Sequence, residues 1–237
     1  MDTVSTSTRR FERPFYLGIA FLFLALVLWT FARTFYLKLF FGTPELPLLL
    51  HVHAVVMTGW PVLLAVQTSL IASHRVQWHR RVGVFGAVWA GLVVILGTVT
   101  TLHAAVREVR GHTHLAHIQV FITTLDLLQM LLFAGFVTAA ILLRRRPDYH
   151  KRLMLLTIAC MLPDALARLP VSFMTNSRIL IGLDAFVLLC VGIDTLRNRR
   201  LHPAFGLGGL LFVLTFHIAL FAALTPAWIA FASGILS

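Results

Sequence analysis

The chain carries very little charge for its size. Only 12% of its 237 residues are Asp, Glu, Lys or Arg, and 59% are hydrophobic, whereas an average soluble domain has roughly 25% charged residues. A chain with so few charged side chains cannot cover its core with polar surface in water. This scarcity excludes a soluble globular protein and predicts one that is embedded in a lipid bilayer.

Acidic residues and cysteines are scarce as well. Nine Asp and Glu stand against twenty Lys and Arg, which gives a formal net charge of +11. The basic residues lie in short loops between apolar stretches, where they orient a membrane protein and meet anionic headgroups. Membrane lipids are therefore expected as partners and nucleic acid is not. The only two cysteines, Cys160 and Cys190, fall inside apolar stretches, which argues against a disulfide framework.

Long apolar stretches dominate what remains. Seven of them predict an all-α integral membrane bundle of seven transmembrane helices, in a single domain over residues 1–237. Backbone groups in hydrocarbon must hydrogen-bond within their own segment, and no alternating barrel pattern is present. An apolar tail at 227–236 either extends the last helix or lies along the interface. The predicted spans are 14–32, 46–72, 82–105, 115–143, 153–173, 179–196 and 204–224.

The basic residues predict the orientation of these spans. Fourteen of the twenty Lys and Arg lie in the N-terminal segment and the even-numbered loops, and six lie on the other side. Because cytoplasmic loops are enriched in Lys and Arg, the N-terminus is expected in the cytoplasm and the C-terminus outside. The expected location is the inner (plasma) membrane of the cell.

The order of residues in two helix pairs suggests a duplicated four-helix core over 46–170. In each pair, one histidine opens the first helix, a glutamine follows within it, and a second histidine with two basic residues stands before the next helix. The two series are His53, Gln67 and His79-Arg80-Arg81, and His117, Gln129 and His150-Lys151-Arg152.

Eleven histidines in so apolar a chain need an explanation, either as interfacial side chains or as ligands of a cofactor. In the predicted topology, His53 and His117 lie near the external ends of the second and fourth helices. His79 and His150 lie near the cytoplasmic ends of the third and fifth. Two histidine pairs at matched depth, one near each membrane face, form the ligand set of two haem b groups held by axial imidazoles. The pattern predicts an electron-transfer protein of the cytochrome b type.

Small residues follow His79 along the third helix at helical spacing, which fits either a flat macrocycle or close packing of helices. They are Gly83, Gly86, Ala90, Val93 and Gly97.

Two sequence patterns carry a resemblance. The series His53, Gly59-Trp60, Gln67 and His79-Arg80-Arg81-Val82-Gly83, followed by His150-Lys151-Arg152-Leu153-Met154, resembles uncharacterised bacterial multi-pass membrane families. The alternation of histidines between the two sides is similar to the two-haem transmembrane cytochromes b that oxidise ascorbate and reduce ferric iron. This similarity covers roughly residues 46–170. It implies the ligand pairs His53/His117 and His79/His150, with a quinone or another electron donor as partner.

A second hypothesis uses the external side as a metal centre. Histidines and carboxylates around one cavity are able to hold zinc, which then activates water against a lipid amide or ester. Such a protein is broadly similar to the seven-helix zinc hydrolases of the ceramidase and adiponectin-receptor type. The candidate ligands are His103, His114, Asp126, Asp164, Asp184 and His217, with His51, His53, His112 and His117 on the same side.

Two interpretations stay open beside these. The chain is also compatible with a non-catalytic membrane factor that assists the assembly of an oxidase or a haem protein, so its status as an enzyme is undecided. Asp164 and Arg168, spaced four residues apart, are read as a charge pair inside the bundle. Asp194, beside an arginine-rich loop, is read as an interfacial residue.

Overall fold

A computed structural model of the chain describes residues 3–111, 116–169 and 176–236, with the side chains of 3–12, 116–117 and 176–177 left aside. The secondary structure in these ranges is entirely helical, which confirms the predicted all-α class. A short π-helical segment, Ala32–Tyr36, follows the first helix. The α-helices are α1 (Thr3–Thr30), α2 (Leu48–Ala72), α3 (Val76–Arg110), α4 (Ala116–Leu142), α5 (Pro147–Ala167), α6 (Asn176–Asn198), α7 (Pro203–Ala223) and α8 (Pro226–Leu236).

Six helices in the described ranges are long and apolar enough to cross a membrane, as expected of a multi-pass membrane protein. Each contains at least 18 residues, which is close to the length needed to span a hydrocarbon core of about 30 Å. The segments are Arg13–Thr30, Leu48–Ala72, Val76–Arg110, Ile118–Leu142, Arg178–Asn198 and Pro203–Ala223.

The fifth predicted span differs from the other six. Helix α5 has 21 residues, but it carries charged side chains in its first two turns and Asp164 near its end. Ten of the eleven residues from Arg152 to Leu162 are buried, because α1, α4, α6 and α7 pack around this helix. A helix enclosed by its neighbours needs no apolar outer face. Six of the seven predicted spans therefore correspond to long apolar helices in the described ranges.

Helices α3 and α5 each begin six residues before the predicted start. Pro147 takes the first position of α5, where its missing N–H costs nothing. Before α3 the chain turns sharply at His74, which has a left-handed φ of 62°. His79 and His150 therefore occupy the same place, the fourth residue of their helices.

The core lies between α2, α4, α5 and α7. Its largest fully buried side chains include Phe133, Phe205 and Phe212. The indole of Trp60 packs edge-on against Phe133, and its N–H donates to the Thr157 hydroxyl at 3.2 Å. This contact fixes α2 against both α4 and α5.

The apolar tail forms a helix of its own. A turn at Thr225 separates α8 from α7, and α8 lies against α3 and α4. The Trp228 indole N–H donates to the Thr124 hydroxyl at 2.8 Å. The tail therefore does not lengthen the seventh helix.

Candidate functional site

The structure brings two of the predicted ligands together at the end of the bundle that carries most of the basic residues, called the basic end below. The imidazole centroids of His79 and His150 are 6.3 Å apart, and the two rings are nearly perpendicular. Two imidazoles that bind one metal ion from opposite sides have centroids about 6 Å apart, because each metal–nitrogen bond is about 2.0 Å and the centroid lies roughly 1 Å beyond. The separation of the two rings fits a shared metal ion.

The ring of His150 is held in the tautomer that a metal ligand needs. Its Nδ1 donates to the backbone carbonyl of Ala140 on α4 at 2.9 Å. A carbonyl oxygen only accepts, so the proton is on Nδ1 and the lone pair is on Nε2. A backbone carbonyl that fixes the second ring nitrogen is a common support for a ligating histidine.

His79 is held by Gln67 of α2. In the amide orientation that satisfies all its neighbours, the Gln67 nitrogen donates to His79 Nδ1 at 2.6 Å, and the amide oxygen accepts from the Gly83 N–H at 2.9 Å. The proton of His79 is then on Nε2. For His79 to bind a metal through Nε2, the Gln67 amide has to turn so that its oxygen accepts from Nδ1–H.

The small-residue stripe of α3 has two different surroundings. Gly86 lies on the same helix face as the buried Ala90 and Val93, yet a Cβ at Gly86 would have no described atom within 4 Å. At Gly97, nearer the opposite end, a Cβ would overlap the Met130 sulfur. At Gly83, one turn after His79, a Cβ would contact the Gln67 side-chain nitrogen at 3.6 Å. The stripe therefore packs closely at Gly97 and is open at Gly86, two turns after His79, where a macrocycle would have to lie.

The second predicted pair is described only in part. The side chain of His117 lies outside the described residues, so its distance from His53 is not assigned. The His53 Nδ1 atom is buried and has no hydrogen-bond partner in the described ranges. The ring also lies beside the Leu96 backbone of α3, with Asp164 and Arg168 nearby. His53 thus presents an unpartnered nitrogen near the end of the bundle opposite the basic end.

The residues of the zinc hypothesis are spread over several helices. Among the described residues, no group of three or more His, Cys, Asp or Glu is placed to hold a metal ion. His103 is exposed, and His114 lies outside the described residues. The other four candidates are engaged with different neighbours.

Asp126 and Asp164 take part in polar contacts between helices. The Thr101 hydroxyl of α3 donates to Asp126 at 3.3 Å. The buried amide of Gln129 donates to Asp164 at 2.9 Å, and Arg168 lies 3.9 Å from the same carboxylate. Asp164 and Arg168 pair as predicted, and Gln129 joins them from α4. The two charged side chains are 48% and 42% exposed, so the pair is not buried inside the bundle as the sequence suggested.

Asp184 and His217 pair with each other between α6 and α7. The His217 Nε2 atom lies 3.4 Å from an Asp184 carboxylate oxygen, and its Nδ1 lies 2.9 Å from the Val213 carbonyl. Both of these partners are acceptors, so each ring nitrogen of His217 faces an acceptor oxygen. It has no contact with the histidine pair at the basic end.

The bundle contains a buried ion pair that was not predicted from the sequence. The guanidinium of Arg152 on α5 donates from Nε and Nη2 to the two carboxylate oxygens of Asp194 on α6, at 2.9 and 2.7 Å. The two side chains are only 3% and 5% exposed. Asp194 is therefore not an interfacial residue, as its place beside the arginine-rich loop suggested. The one signal in the sequence is that Asp194 is the sole acidic residue near the end of that helix.

An open cleft of about 600 Å³ lies next to this ion pair. It is bounded by the start of α5, the loop between α6 and α7, and the start of α7. His202 caps α7, since its Nδ1 accepts from the Ala204 N–H at 3.2 Å. The lining residues are Arg146, Asp148, Tyr149, Arg200, Leu201, His202 and Pro203.

Of the four predicted haem ligands, the structure places His79 and His150 side by side and describes only His53 of the other pair. Comparisons with protein-family models, with curated proteins and with solved structures found no match for this chain.

Proposed function

We propose that the chain is a membrane electron-transfer protein of the cytochrome b type, with a haem held between His79 and His150. The observation that carries this proposal is the spacing of the two imidazoles at the starts of α3 and α5. The fixed tautomer of His150 and the open space at Gly86 support it. A haem bound there supplies a one-electron redox centre within the bundle.

The residues around the pair have distinct tasks in this proposal. Ala140 orients His150 through its carbonyl, and the Gln67 amide, once turned so that its oxygen faces Nδ1–H, would orient His79. Both histidines occupy the fourth position of their helices, so the two rings enter the site from equivalent places on α3 and α5. Neutral imidazole is the form that binds iron.

The same proposal includes a second haem between His53 and His117, towards the opposite end. The buried, unpartnered Nδ1 of His53 supports this part. It also includes α5 as the seventh span, a cytoplasmic N-terminus and a location in the plasma membrane, since the basic residues favour one end. Two redox centres at different depths allow an electron to cross the bilayer, from a donor such as a quinol.

The visible spectrum of the purified protein tests the proposal. Protein in detergent is reduced with dithionite, and the reduced-minus-oxidised difference is recorded with a haem determination on the same sample. Sharp b-type bands with haem bound in proportion to protein are the expected result. A colourless protein after expression with added haem precursor would overturn it. Zinc in a colourless sample would favour the hydrolase hypothesis, and a metal-free sample would favour an assembly factor.

A further inference from the structure

Two arginines of the cleft at the basic end have no acidic partner. Asp148 is the only carboxylate in the lining, and it already accepts from Lys151 at 2.9 Å and lies 3.8 Å from Arg152. Within the described ranges, neither Arg146 nor Arg200 pairs with an acidic side chain. Their guanidinium groups are therefore available to an anion from outside the chain.

Apart from the Asp148 carboxylate, the other polar side chains of the cleft offer hydrogen-bond donors too. His202 uses Nδ1 to accept from Ala204, so its proton is on Nε2. The Tyr149 ring packs edge-on against His202 at 4.6 Å, and the Arg146 guanidinium lies 6.0 Å above the same ring. A ligand in the cleft meets guanidinium, imidazole N–H and phenol O–H groups. This set matches the oxygens of a phosphate, which takes several charge-assisted hydrogen bonds at once.

Buried hydrogen bonds next to the cleft hold the helices that form its walls. Arg152 binds Asp194 with two hydrogen bonds and donates from Nη1 to the Asp148 carbonyl at 2.8 Å. Asn198 donates to the Asp194 carbonyl at 2.8 Å. These contacts hold the start of α5 and the end of α6 in one position, so the cleft is preformed.

The cleft lies where lipid headgroups are expected. It is at an end of the bundle, between helices that enter the apolar layer, and the arginine-rich segments 144–152 and 197–200 lie at this end. Leu201 lines the cleft with 55% of its surface exposed, which offers an apolar contact beside the donors. Basic pockets between membrane helices are known to hold anionic headgroups.

We propose that this cleft binds a phosphate ester, supplied by the headgroup of an anionic phospholipid. The site is separate from the histidine pair and does not depend on the haem proposal. A volume of about 600 Å³ accommodates a phosphoglycerol headgroup within the usual range of small-ligand sites.

A paired set of variants tests the site. The double variant Arg146→Gln/Arg200→Gln removes the two free guanidinium groups. Its control, Arg145→Gln/Arg199→Gln, removes the same charge from neighbouring residues outside the lining. Full-length protein in neutral detergent is titrated with short-chain phosphatidylglycerol or phosphatidylcholine, and bound lipid is measured by native mass spectrometry.

The wild type is expected to bind phosphatidylglycerol in preference to phosphatidylcholine. The loss of two charge-assisted hydrogen bonds should weaken phosphatidylglycerol binding by about tenfold or more. The control should change it by less than about twofold, since Arg145 and Arg199 lie outside the lining and contribute only a salt-screened attraction. The variant Arg146→Lys/Arg200→Lys should restore part of the affinity. Equal losses in the two double variants, or no preference for the anionic lipid, would overturn the site.

Soluble competitors identify the source of the phosphate. Glycerol 3-phosphate and inorganic phosphate are added to the lipid-loaded wild type, with sodium chloride at matched ionic strength as control. A lipid that stays bound identifies the headgroup as the ligand. Displacement by glycerol phosphate but not by chloride identifies a soluble phosphate ester, and equal displacement by chloride counts against a built site.

Discussion

Arg152 and Asp194 form a two-point ion pair between α5 and α6 that is almost fully closed to solvent. The guanidinium also donates to the Asp148 carbonyl and lies over the Phe205 ring, with Cζ 5.8 Å from the ring centroid. One side chain thereby connects α5, α6 and α7 at the basic end. Removing one partner would leave the other charge buried and uncompensated.

The first prediction concerns this pair. Arg152→Met should lower the free energy of unfolding by about 3–5 kcal/mol, because it strands the Asp194 carboxylate. The double variant Arg152→Met/Asp194→Leu should recover most of that loss, since no buried charge remains. Unfolding in mixed micelles by SDS titration measures both, with Arg145→Met as an exposed control. A double variant as unstable as the single one would show that the pair is not the source of the loss.

Much of the fold was predictable because the bilayer imposes a strong rule on the sequence. Apolar runs of spanning length predict helices, and six of the predicted runs correspond to long apolar helices. The fifth predicted span was harder, because burial among neighbouring helices allows α5 to carry charge. The buried charge of α5, Arg152, pairs with Asp194, which is 42 residues away, and no periodicity in the sequence relates the two.

The sequence predicts the depth of each histidine along its helix, and only this part of the candidate site could be predicted. Counting from the helix ends places His79 and His150 at one level, and the structure puts their rings side by side. The hydrogen bonds that set their tautomers were not predictable, because they come from Gln67 and Ala140 on other helices. The suggested duplication does not predict these hydrogen bonds either. Gln67 and Gln129 hold equivalent places in the two series, but Gln67 contacts His79 whereas Gln129 contacts Asp164.

The second prediction concerns the ligands. His150→Ala and His53→Ala should each lower the haem content by about half, because each removes one axial ligand of one of the two proposed haems. Asp164→Asn should leave the haem content unchanged, since Asp164 bonds to Gln129 and Arg168. A pyridine haemochrome determination on purified protein measures the ratio. Full haem content in the His150 variant would contradict the pairing at the basic end.

The third prediction concerns Gln67. A partner that accepts from Nδ1–H strengthens a ligating imidazole, so Gln67→Glu should retain haem and lower its reduction potential. Gln67→Leu removes the partner and should weaken haem binding by about 10–100-fold. Redox titration and haem transfer to apomyoglobin measure the two effects. An unchanged reduction potential and an unchanged haem affinity in both variants would show that Gln67 does not support the ligand His79.

The fourth prediction compares three glycines. A Cβ at Gly59 would overlap the Trp89 indole, which is anchored by its N–H to the Val56 carbonyl at 2.9 Å. Gly59→Ala should cost about 1–3 kcal/mol in unfolding free energy, because a rigid ring has to move. Gly97→Ala meets the flexible Met130 side chain and should cost less. Gly91→Ala meets no described atom within 4 Å and should be neutral or stabilising, since alanine favours helix. The reverse order in SDS titrations would refute this packing.

The fifth prediction concerns pH. Burial lowers the pKa of His202, and the positive charge of Arg152 acts in the same direction. In the unfolded chain the imidazole has its ordinary pKa of about 6.5. At a pH between the pKa of His202 in the folded chain and its pKa in the unfolded chain, the imidazole is protonated in the unfolded chain only. The free energy of unfolding therefore rises with pH across this window. The contribution is fully present above about pH 6.5 and is lost as the pH falls through the folded pKa.

The geometry gives the same direction, because a protonated His202 can no longer accept from the Ala204 N–H that it caps. The neighbouring Asp148 keeps its charge in this window, since its hydrogen bond from Lys151 lowers its pKa. His202→Asn retains a capping acceptor that does not titrate. Between pH 7.5 and 5, the Tm of the wild type should therefore fall by about 2–4 °C more than that of His202→Asn, the equivalent of roughly one cap. Other histidines titrate equally in both proteins and cancel in the difference, so parallel Tm curves would exclude His202 as the titrating group.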